Sequence, residues 1–344
     1  MPGEFTAPQI RQQARLHEIM ICPDCDGKMQ EHSTGFSCER CQNAFAISGN
    51  IPRMFLATER NSATKDVTDN IKAFYEDAPF PNYDDLESTA DLVEKARRGL
   101  FAYMLDQQLP PNSLVLECGC GTGQLTNFLS VANRSVIGTD LCLNSLKLGE
   151  EFRARNRLRG ARFLQMNLFR PVFRPNTFDL VISNGVLHHT SDPKGGLASI
   201  SKLAKHGGYI VFGLYHRFGR VPTNLRRWIF RLSGDRFLGL DSRNVDPNIS
   251  DAKRRSWFLD QYKNPHESQH TISEVIGWLK ELNLEFVRSL PSSVPGRLLD
   301  SNTRLFAPEP AGLRSENMLA DLGCLFKGQR AGENGFFIIV ARRP

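Results

Sequence analysis

The 344-residue chain lacks several features that would narrow its class at once. No apolar run approaches the ~20 residues that a membrane-spanning helix requires, and the sequence contains no internal repeat and no low-complexity tract. Its first twenty residues, MPGEFTAPQIRQQARLHEIM, have neither the basic region nor the apolar core of a secretory signal. We therefore expect a cytoplasmic protein without a transmembrane segment.

The chain also has little excess of either sign of charge. The 43 Lys and Arg residues face 37 Asp and Glu residues, so the formal net charge is only +6. With 40% hydrophobic and 23% charged residues, the composition is typical of a folded globular protein and excludes a globally disordered chain. The length predicts one or two domains with an appendage.

Four of the eight cysteines lie close together, at Cys22, Cys25, Cys38 and Cys41. They form two C-x2-C pairs, and in a reducing compartment such pairs favour metal ligation over disulfides. Four thiolates suit a tetrahedral Zn²⁺ site with no open coordination position. The segment has too few large apolar residues to fold alone, so the metal would supply the folding free energy. We predict a structural zinc ribbon over residues 21–56, with a redox dithiol and an iron–sulfur site as alternatives.

The remaining chain divides into three parts. Residues 1–20 form an N-terminal tail, and residues 57–112 a linker with two cap helices. From residue 113 to 344, apolar runs alternate with helical stretches. We predict strands at residues 114–118, 135–140, 161–167, 178–183, 208–214, 284–290 and 335–343. Continuously apolar runs indicate strands buried on both faces, so we predict an α/β fold with a doubly wound, mostly parallel, seven-stranded sheet.

A glycine-rich turn follows the first of these strands. It contains Gly119, Gly121 and Gly123, and Glu117 lies two residues before the first glycine. Glycine lets the backbone approach a ligand and adopt dihedrals that other residues avoid. A dinucleotide loop would read G-x-G-x-x-G and hold a pyrophosphate, whereas an acid before a G-x-G-x-G turn favours a cationic ligand. S-adenosylmethionine fits, because it carries an ammonium and a sulfonium but no phosphate; a tight turn without any ligand is the alternative.

Residues 113–214 resemble the class I S-adenosylmethionine-dependent methyltransferases, in particular the small-molecule group typified by quinone-biosynthesis enzymes. The likeness rests on the turn, on Asp140, on Asn167 and on the segment Asn-Gly-Val-Leu-His-His at residues 184–189. It implies a Rossmann-like sheet. The cysteine pairs and the tail at residues 49–52 resemble zinc ribbons that partner or precede methyltransferases, a layout similar to that of large-subunit rRNA guanine methyltransferases.

The resemblance implies cofactor contacts residue by residue. Asp140 would accept both ribose hydroxyls, Leu141 would pack on the adenine, and Asn167 would take the adenine-amino position, where the family more often has aspartate. The implied cofactor-binding residues are Glu117, Gly119, Gly121, Gly123, Asp140, Leu141, Asn167 and Asn184. We expect removal of the ribbon's metal to spare this binding.

Methyl transfer to a hydroxyl, an amide or an acidic carbon requires a base, and histidine is the usual base near neutral pH. His188 and His189 follow the fourth strand, at the edge where open α/β sheets bind ligands. We predict that one of them is the catalytic base. The alternative is a pair that packs behind the methionine part of the cofactor.

Residues 215–268, named the insertion below, carry a net charge of +5, which is most of the chain's net charge of +6. Eleven Lys and Arg residues face six Asp and Glu residues, and eight residues are aromatic. We predict that the insertion covers the acceptor site, with substrate contacts from Tyr215, His216, Arg217, Tyr262, His266, Glu267 and His270. Three ligands compete for this basic, aromatic insertion: an anionic small molecule or lipid head group, RNA, and a membrane surface contacted by residues 221–232. The alternative for residues 221–232 is a helix without a ligand, whose apolar face packs on the core and whose arginines are solvated.

We therefore expect a methyltransferase that acts on an anionic or amphipathic small molecule, with zinc in its ribbon. An RNA methyltransferase is the second hypothesis, because a ribbon and a basic insertion suit RNA. Against it, residues 184–189 do not form the N-P-P-Y type of motif that methylates nucleobase amino groups. A scaffold that binds S-adenosylmethionine without catalysis is the third hypothesis.

Overall fold

The computed structural model describes residues 16–56, 67–77, 79, 81, 83–247, 249–296, 300, 302–327 and 335–344. A short helix α1 (Leu16–Ile19) precedes an antiparallel sheet of four strands in chain order, β1 (Met29–His32), β2 (Gly35–Cys38), β3 (Ala44–Ser48) and β4 (Ile51–Pro52). This small sheet and the cysteine pairs make up the ribbon, residues 21–56. The N-terminal residues 1–15 of the predicted tail and residues 57–66 of the predicted linker lie outside the described residues.

A seven-stranded sheet is formed by strands between residues 114 and 342. Its strands are β5 (Leu114–Cys118), β6 (Ser135–Asp140), β7 (Ala161–Gln165), β8 (Phe178–Asn184), β9 (Ala204–Tyr215), β10 (Glu285–Leu290) and β11 (Phe336–Arg342). The strand order is β10-β11-β9-β8-β5-β6-β7, and β11 is antiparallel to both of its neighbours. The predicted mostly parallel, seven-stranded α/β fold is confirmed, and β5 to β8 are buried strands that end at one edge of the sheet.

Helices cover both faces of this sheet. In chain order they are α2 (Thr68–Asp77), α3 (Thr89–Arg98), α4 (Leu100–Gln108), α5 (Gln124–Ser130), α6 (Leu143–Arg155), α7 (Pro193–Ser201), α8 (Val221–Ser233), α9 (Asp251–Phe258), α10 (Ile272–Glu281) and α11 (Arg314–Lys327). None of the helices in the described ranges combines the length and the apolar character required to cross a bilayer.

Two local expectations differ from the structure. The second cap helix is divided into α3 and α4, because Gly99 adopts an extended conformation with φ −87° and ψ 116° between them. The third strand ends at Gln165 instead of residue 167. The backbone thus leaves the sheet two residues before Asn167, which lies in the loop at the sheet edge.

The ribbon packs directly on the seven-stranded sheet. Its residues Cys22, Met29, Phe36, Cys38, Phe45 and Met54, together with Met20 directly before it, belong to the same buried apolar cluster as Leu116, Ile137 and Leu164. The backbone N–H of Met54 donates to the carbonyl of Gln165 at 3.0 Å, and the N–H of Ile21 donates to the carbonyl of Val172 at 2.8 Å. The ribbon therefore covers the β7 edge of the sheet and shares its core.

The insertion contains α8, α9 and a π-helical turn at Leu259–Lys263. Pro222 lies in the first turn of α8, and Gly234 ends the helix with φ 62°. The expectation that the apolar face of this helix packs on the core is wrong, because Leu225, Trp228 and Leu232 are exposed. Thr223 and Phe230 form the buried side instead.

Candidate functional site

The four ribbon cysteines converge on one point. Their Sγ atoms all lie within 4.8 Å of one another. The Sγ atoms of Cys22 and Cys41 are 3.6 Å apart, and those of Cys25 and Cys38 are 3.4 Å apart. These separations are too long for disulfide bonds and close to the ~3.8 Å edge of a tetrahedron with 2.3 Å metal–sulfur bonds.

The surrounding backbone completes this cluster. The backbone N–H groups of Arg40 and Cys41 donate to the Sγ of Cys38 at 3.3 and 3.4 Å. Gly27 lies against the same sulfurs, since a Cβ there would approach the Sγ of Cys38 to 2.8 Å and that of Cys25 to 3.2 Å. Such donors stabilise thiolates, and the absent Cβ leaves room for a compact tetrahedral site.

A cavity of about 380 Å³ lies at the carboxyl ends of β5 to β8. The sheet order changes direction between β5 and β8, and open α/β sheets bind ligands at such a point. Of the residues singled out from the sequence, the cavity is lined by Glu117, Gly119, Gly121, Asp140, Leu141, Asn167, Asn184, His189 and Tyr215. The carboxylates of Glu117 and Asp140 lie at the carboxyl ends of β5 and β6. The ring of His189 comes from the segment after β8, and the ring of Tyr215 comes from the last residue of β9.

The three glycines of the turn have different positions. Gly119 has φ +75°, and a Cβ on it would lie 2.4 Å from a methyl carbon of Val186. Gly121 has φ +54° and donates its N–H to Asp140 at 2.8 Å. Gly123 is outside the cavity lining and packs on Phe163, where a Cβ would come within 2.2 Å of the ring. Two glycines thus shape the cavity, and the third allows α5 to approach β7.

Glu117 is a buried carboxylic acid near the end of β5. It accepts a hydrogen bond from the hydroxyl of Thr126. Burial raises the pKa of Glu117 to about 8, the Thr126 hydrogen bond opposes this rise, and the nearby Asp140 adds to it. A cationic group placed in the cavity would favour the ionised form.

Asp140 ends β6 with its carboxylate held by the backbone. Its two oxygens accept N–H groups of Gly121 and Cys142, each at 2.8 Å. Burial nevertheless raises the pKa of Asp140 above its ordinary value. Because a carboxylate oxygen can accept two hydrogen bonds, this geometry orients the group and leaves capacity for two hydroxyl donors.

Asn167 connects the cavity to the ribbon. Its Oδ1 accepts the N–H of Phe169 at 3.0 Å, and its Nδ2 donates to the carbonyl of Leu56 at 3.2 Å. Leu56 is the last described residue of the ribbon. The orientation of this buried amide therefore depends on the position of the ribbon's exit.

His189 and His188 differ in their exposure to the cavity. The Nδ1 of His189 lies 2.9 Å from the carbonyl oxygen of His266, which can only accept, so Nδ1 carries the proton and Nε2 retains a lone pair. Burial lowers the pKa of His189, which keeps the ring neutral near pH 7. His188 is outside the lining, its ring centroid 3.9 Å from that of Tyr215, and burial lowers its pKa well below the ordinary value.

Tyr215 lines the cavity, whereas the other substrate candidates have other partners. His216 contacts Asp321 at 2.8 Å, and Arg217 is exposed and 3.4 Å from Glu274. The hydroxyl of Tyr262 donates to Asp241 at 2.7 Å. Two more candidates are also outside the lining, His266 at 3.0 Å from the carbonyl of Thr190 and His270 at 3.0 Å from Glu274. Glu267 is buried in an ion pair with Arg220 at 2.7 Å.

Among the lining residues that were not singled out from the sequence, three polar ones form a hydrogen-bonded group with Tyr215. Tyr75 donates to Asp260 Oδ1 at 2.8 Å, and the Nε2 of Gln261 lies 2.8 Å from Asp260 Oδ2 and 3.0 Å from the Tyr215 hydroxyl. Burial raises the pKa of both tyrosines, and the carboxylate of Asp260 adds to that rise. The π-helical turn gives Asp260 and Gln261 their place in the wall. Nothing in the local pattern FLDQYK predicts such a turn.

Comparison with known proteins gives this chain's relatives. Residues 116–212 match the family profile described as a methyltransferase domain. An uncharacterized Synechococcus protein is 26% identical over 50% of this chain and 47% of its own length. The ubiquinone biosynthesis O-methyltransferase of Bordetella pertussis is 29% identical over 36% of this chain and 49% of its own. A Bos taurus protein named "Probable tRNA methyltransferase 9B" is 30% identical over 36% of this chain and 26% of its own. The match spans at most about half the length of these relatives.

Proposed function

We propose that this chain, of which residues 116–212 match a methyltransferase-domain profile, uses S-adenosylmethionine to methylate an anionic or amphipathic small molecule. The observation that carries the proposal is the grouping of Glu117, Asp140 and Asn167 around one cavity at the switch point of the sheet. Two carboxylates there disfavour a pyrophosphate and favour a cationic nucleoside.

The residues present fit S-adenosylmethionine. Glu117, whose pKa of about 8 reflects a buried acid, would hold the ammonium group. Asp140, oriented by two backbone N–H groups, would accept the ribose hydroxyls, with Leu141 and Asn167 beside the base. Gly119, where a Cβ would clash with Val186, and Gly121, with φ +54°, line the cavity with backbone. Gly123 and Asn184 complete the assignment, Gly123 by packing and Asn184 from the cavity wall.

When bound, S-adenosylmethionine supplies an electrophilic methyl group for an in-line displacement. His189 offers an unprotonated Nε2 to accept a proton from the acceptor, because the carbonyl of His266 fixes its tautomer. Asp260 and Tyr75 form a hydrogen-bonded pair in the same wall of the cavity. This pair would position polar groups of an acceptor. His188 supports the ring of Tyr215 from behind.

The lining of the cavity favours an amphipathic acceptor. Val67, Ile71, Leu168 and Phe169 are apolar, and Lys72 lies beside them with its ammonium 4.5 Å from the centroid of the Phe55 ring. The likeness to an enzyme named for ubiquinone biosynthesis supports a small molecule of this kind. A mixed apolar and cationic lining suits a molecule with an apolar body and one anionic or polar end.

RNA is the second candidate acceptor, because another relative is named as a tRNA methyltransferase and the insertion is basic. The arginines of the insertion that lie nearest the cavity are engaged, however. Arg220 and Arg227 both pair with Glu267, at 2.7 and 2.9 Å. These two guanidinium groups share one carboxylate and are engaged within the protein instead of facing RNA phosphates, which disfavours RNA.

We further propose that the ribbon holds a structural Zn²⁺ through Cys22, Cys25, Cys38 and Cys41. The sulfur separations and the N–H donors to Cys38 support a tetrahedral thiolate site. Four protein ligands leave no open coordination position, so the role of the metal is to stabilise the fold.

Isotope transfer separates the acceptor classes. The purified protein is incubated with S-adenosylmethionine carrying a deuterated methyl group, together with either a small-metabolite extract or total RNA from the same cells. Mass spectrometry of both fractions should find the label in a small molecule, and His189→Gln should reduce its appearance at least 100-fold. Label confined to digested RNA supports the second candidate. Failure of calorimetry to detect S-adenosylmethionine binding contradicts both candidates, whereas binding without label transfer to either fraction favours the non-catalytic scaffold.

A further inference from the structure

The exposed side of α8 carries an apolar stripe formed by Val221, Leu225, Trp228 and Leu232. Their spacing of four, three and four residues places them on one face of the helix, and they are 46, 57, 61 and 67% exposed. The segment after the helix adds Phe237, Leu238, Leu240 and Val245, all exposed. Large apolar side chains grouped at a surface in this way mark an interaction site.

The opposite side of α8 is firmly seated. Phe230 packs against Phe258 and Tyr262, with ring centroids 5.7 and 4.8 Å away. Arg227 donates to the carbonyl of Gln261 at 2.6 Å. Turning the apolar stripe inward would break these contacts, so its exposure follows from how the helix is anchored.

The charges around the apolar stripe are positive. Arg231 and Arg236 are exposed, and in the part of the chain that the structure describes neither has a carboxylate within ion-pair distance. The nearby acids are engaged, since Asp235 pairs with Lys263 at 2.9 Å and Asp241 accepts the hydroxyl of Tyr262 at 2.7 Å. The outward surface therefore combines Trp and Leu side chains with unneutralised guanidinium groups.

We propose that the apolar stripe of α8 binds the surface of an anionic lipid bilayer. Tryptophan and leucine on one side of a helix with flanking arginines are the composition of helices that lie in the bilayer interface. At 13 residues α8 is about 20 Å long, so it lies along the surface and does not span it. Since α8 rests on the segment that carries Asp260 and Gln261, this contact would bring the cavity wall close to the lipid surface.

Sedimentation with vesicles tests this proposal independently of methyl transfer. The full chain is mixed with phosphatidylcholine vesicles that contain either no phosphatidylserine or about 30% of it, and bound protein is measured. We expect at least about tenfold stronger binding to the anionic vesicles. The triple variant Leu225→Ser, Trp228→Ser, Leu232→Ser should lose about tenfold or more, and Arg231→Gln with Arg236→Gln should remove the preference for anionic lipid.

A matched control is Val131→Ser, which removes an apolar side chain 43% exposed at the opposite, amino-terminal edge of the sheet. It should bind vesicles like the unmodified chain. Circular dichroism checks that every variant is folded. Absence of binding by the unmodified chain, or unchanged binding by the triple variant, overturns the proposal. A dimer that the triple variant dissociates, with no vesicle binding, also overturns it and assigns the stripe to a second copy.

Discussion

The ribbon and the insertion are both additions to the seven-stranded sheet, yet they are attached by different interactions. The ribbon contributes Met29, Phe36 and Met54 to the main apolar core and bonds to the β7 edge through its backbone. The insertion is attached by hydrogen bonds, such as those from Tyr75 to Asp260 and from the backbone N–H of Ser268 to the carbonyl of His188. The fully buried Arg220 binds Glu267 and Gln261 within the insertion. The insertion buries Phe230 but leaves Trp228 and Phe237 on the surface.

The difference teaches where each addition can influence the cavity. The ribbon ends at Leu56, which binds Asn167 at the side of the cavity where we propose that the nucleoside lies. The insertion supplies Asp260 and Gln261 at the side where we propose that the acceptor binds. Damage to the ribbon should therefore reach the cofactor, and damage to the insertion should reach the acceptor.

Removal of the ribbon's metal should have the largest effect. A chelator or Cys38→Ser should unfold the ribbon, because structural zinc supplies on the order of 10 kcal/mol of folding free energy in small domains. Since the ribbon shares the main core and holds Asn167, both the melting temperature and the affinity for S-adenosylmethionine should fall. This revises the expectation that metal loss spares cofactor binding.

Thermal unfolding and isothermal titration measure these two quantities. Cys324→Ser is the matched control, because Cys324 lies in α11 outside the cysteine cluster. Unchanged cofactor affinity in the chelated protein would show that unfolding of the ribbon does not alter the cofactor site.

Glu267→Gln should have the next largest effect. It leaves the fully buried Arg220 without its counter-charge, which costs roughly 3–5 kcal/mol in comparable buried pairs. Although burial alone would raise it, the guanidinium groups of Arg220 and Arg227 lower the pKa of Glu267. Its stabilising contribution is thus present above the ordinary carboxyl pKa and is lost as the pH falls through the lowered value.

Urea unfolding at several pH values measures this contribution. Glu281→Gln, which breaks the exposed pair with Lys194, should cost less than about 1 kcal/mol. Cofactor affinity should survive Glu267→Gln at pH 7. If Glu267→Gln lowered the affinity for S-adenosylmethionine as much as chelation does, the ribbon and the insertion would not differ in their effect on the cavity.

Asp140→Ala probes the part of the cavity that the sheet builds by itself. Losing the charged hydrogen bonds to the ribose should cost about 2–3 kcal/mol, or roughly 30- to 150-fold in affinity for S-adenosylmethionine. Ribbon stability should not change, because Asp140 bonds to Gly121 and Cys142 and not to the ribbon. Titration calorimetry gives the affinity, and an unchanged value would contradict the placement of the cofactor.

Glu117 should give the smallest effect, a proton released on cofactor binding. With a pKa of about 8, the buried acid is mostly protonated at pH 7, and an ammonium group beside it favours ionisation. Calorimetry in buffers of different ionisation enthalpy should detect up to about one proton released. Glu117→Gln should release none; equal release by both proteins would place the ammonium elsewhere.

The sequence predicts the fold well because its signals are local. Continuous apolar runs mark β5 to β8, and the glycine turn follows directly after β5. The acids Glu117 and Asp140 end neighbouring parallel strands, so their proximity follows from strand order. The division of α3 and α4 at Gly99 was not predicted. The sequence left open whether the apolar face of α8 is exposed or packed on the core, because periodicity shows that a helix has two faces but not which one is buried.

Sequence alone determined the four-cysteine cluster, the glycine turn and the acids around it, since each depends on the chemistry of residues close in the chain. Tertiary structure decided that Tyr75 meets Asp260, 185 residues apart, and that Leu56 holds Asn167, 111 residues apart. It also decided that Arg220 is buried while Trp228, eight positions later, is exposed. Such pairings depend on how separate segments pack, and no local pattern of residue types encodes that packing.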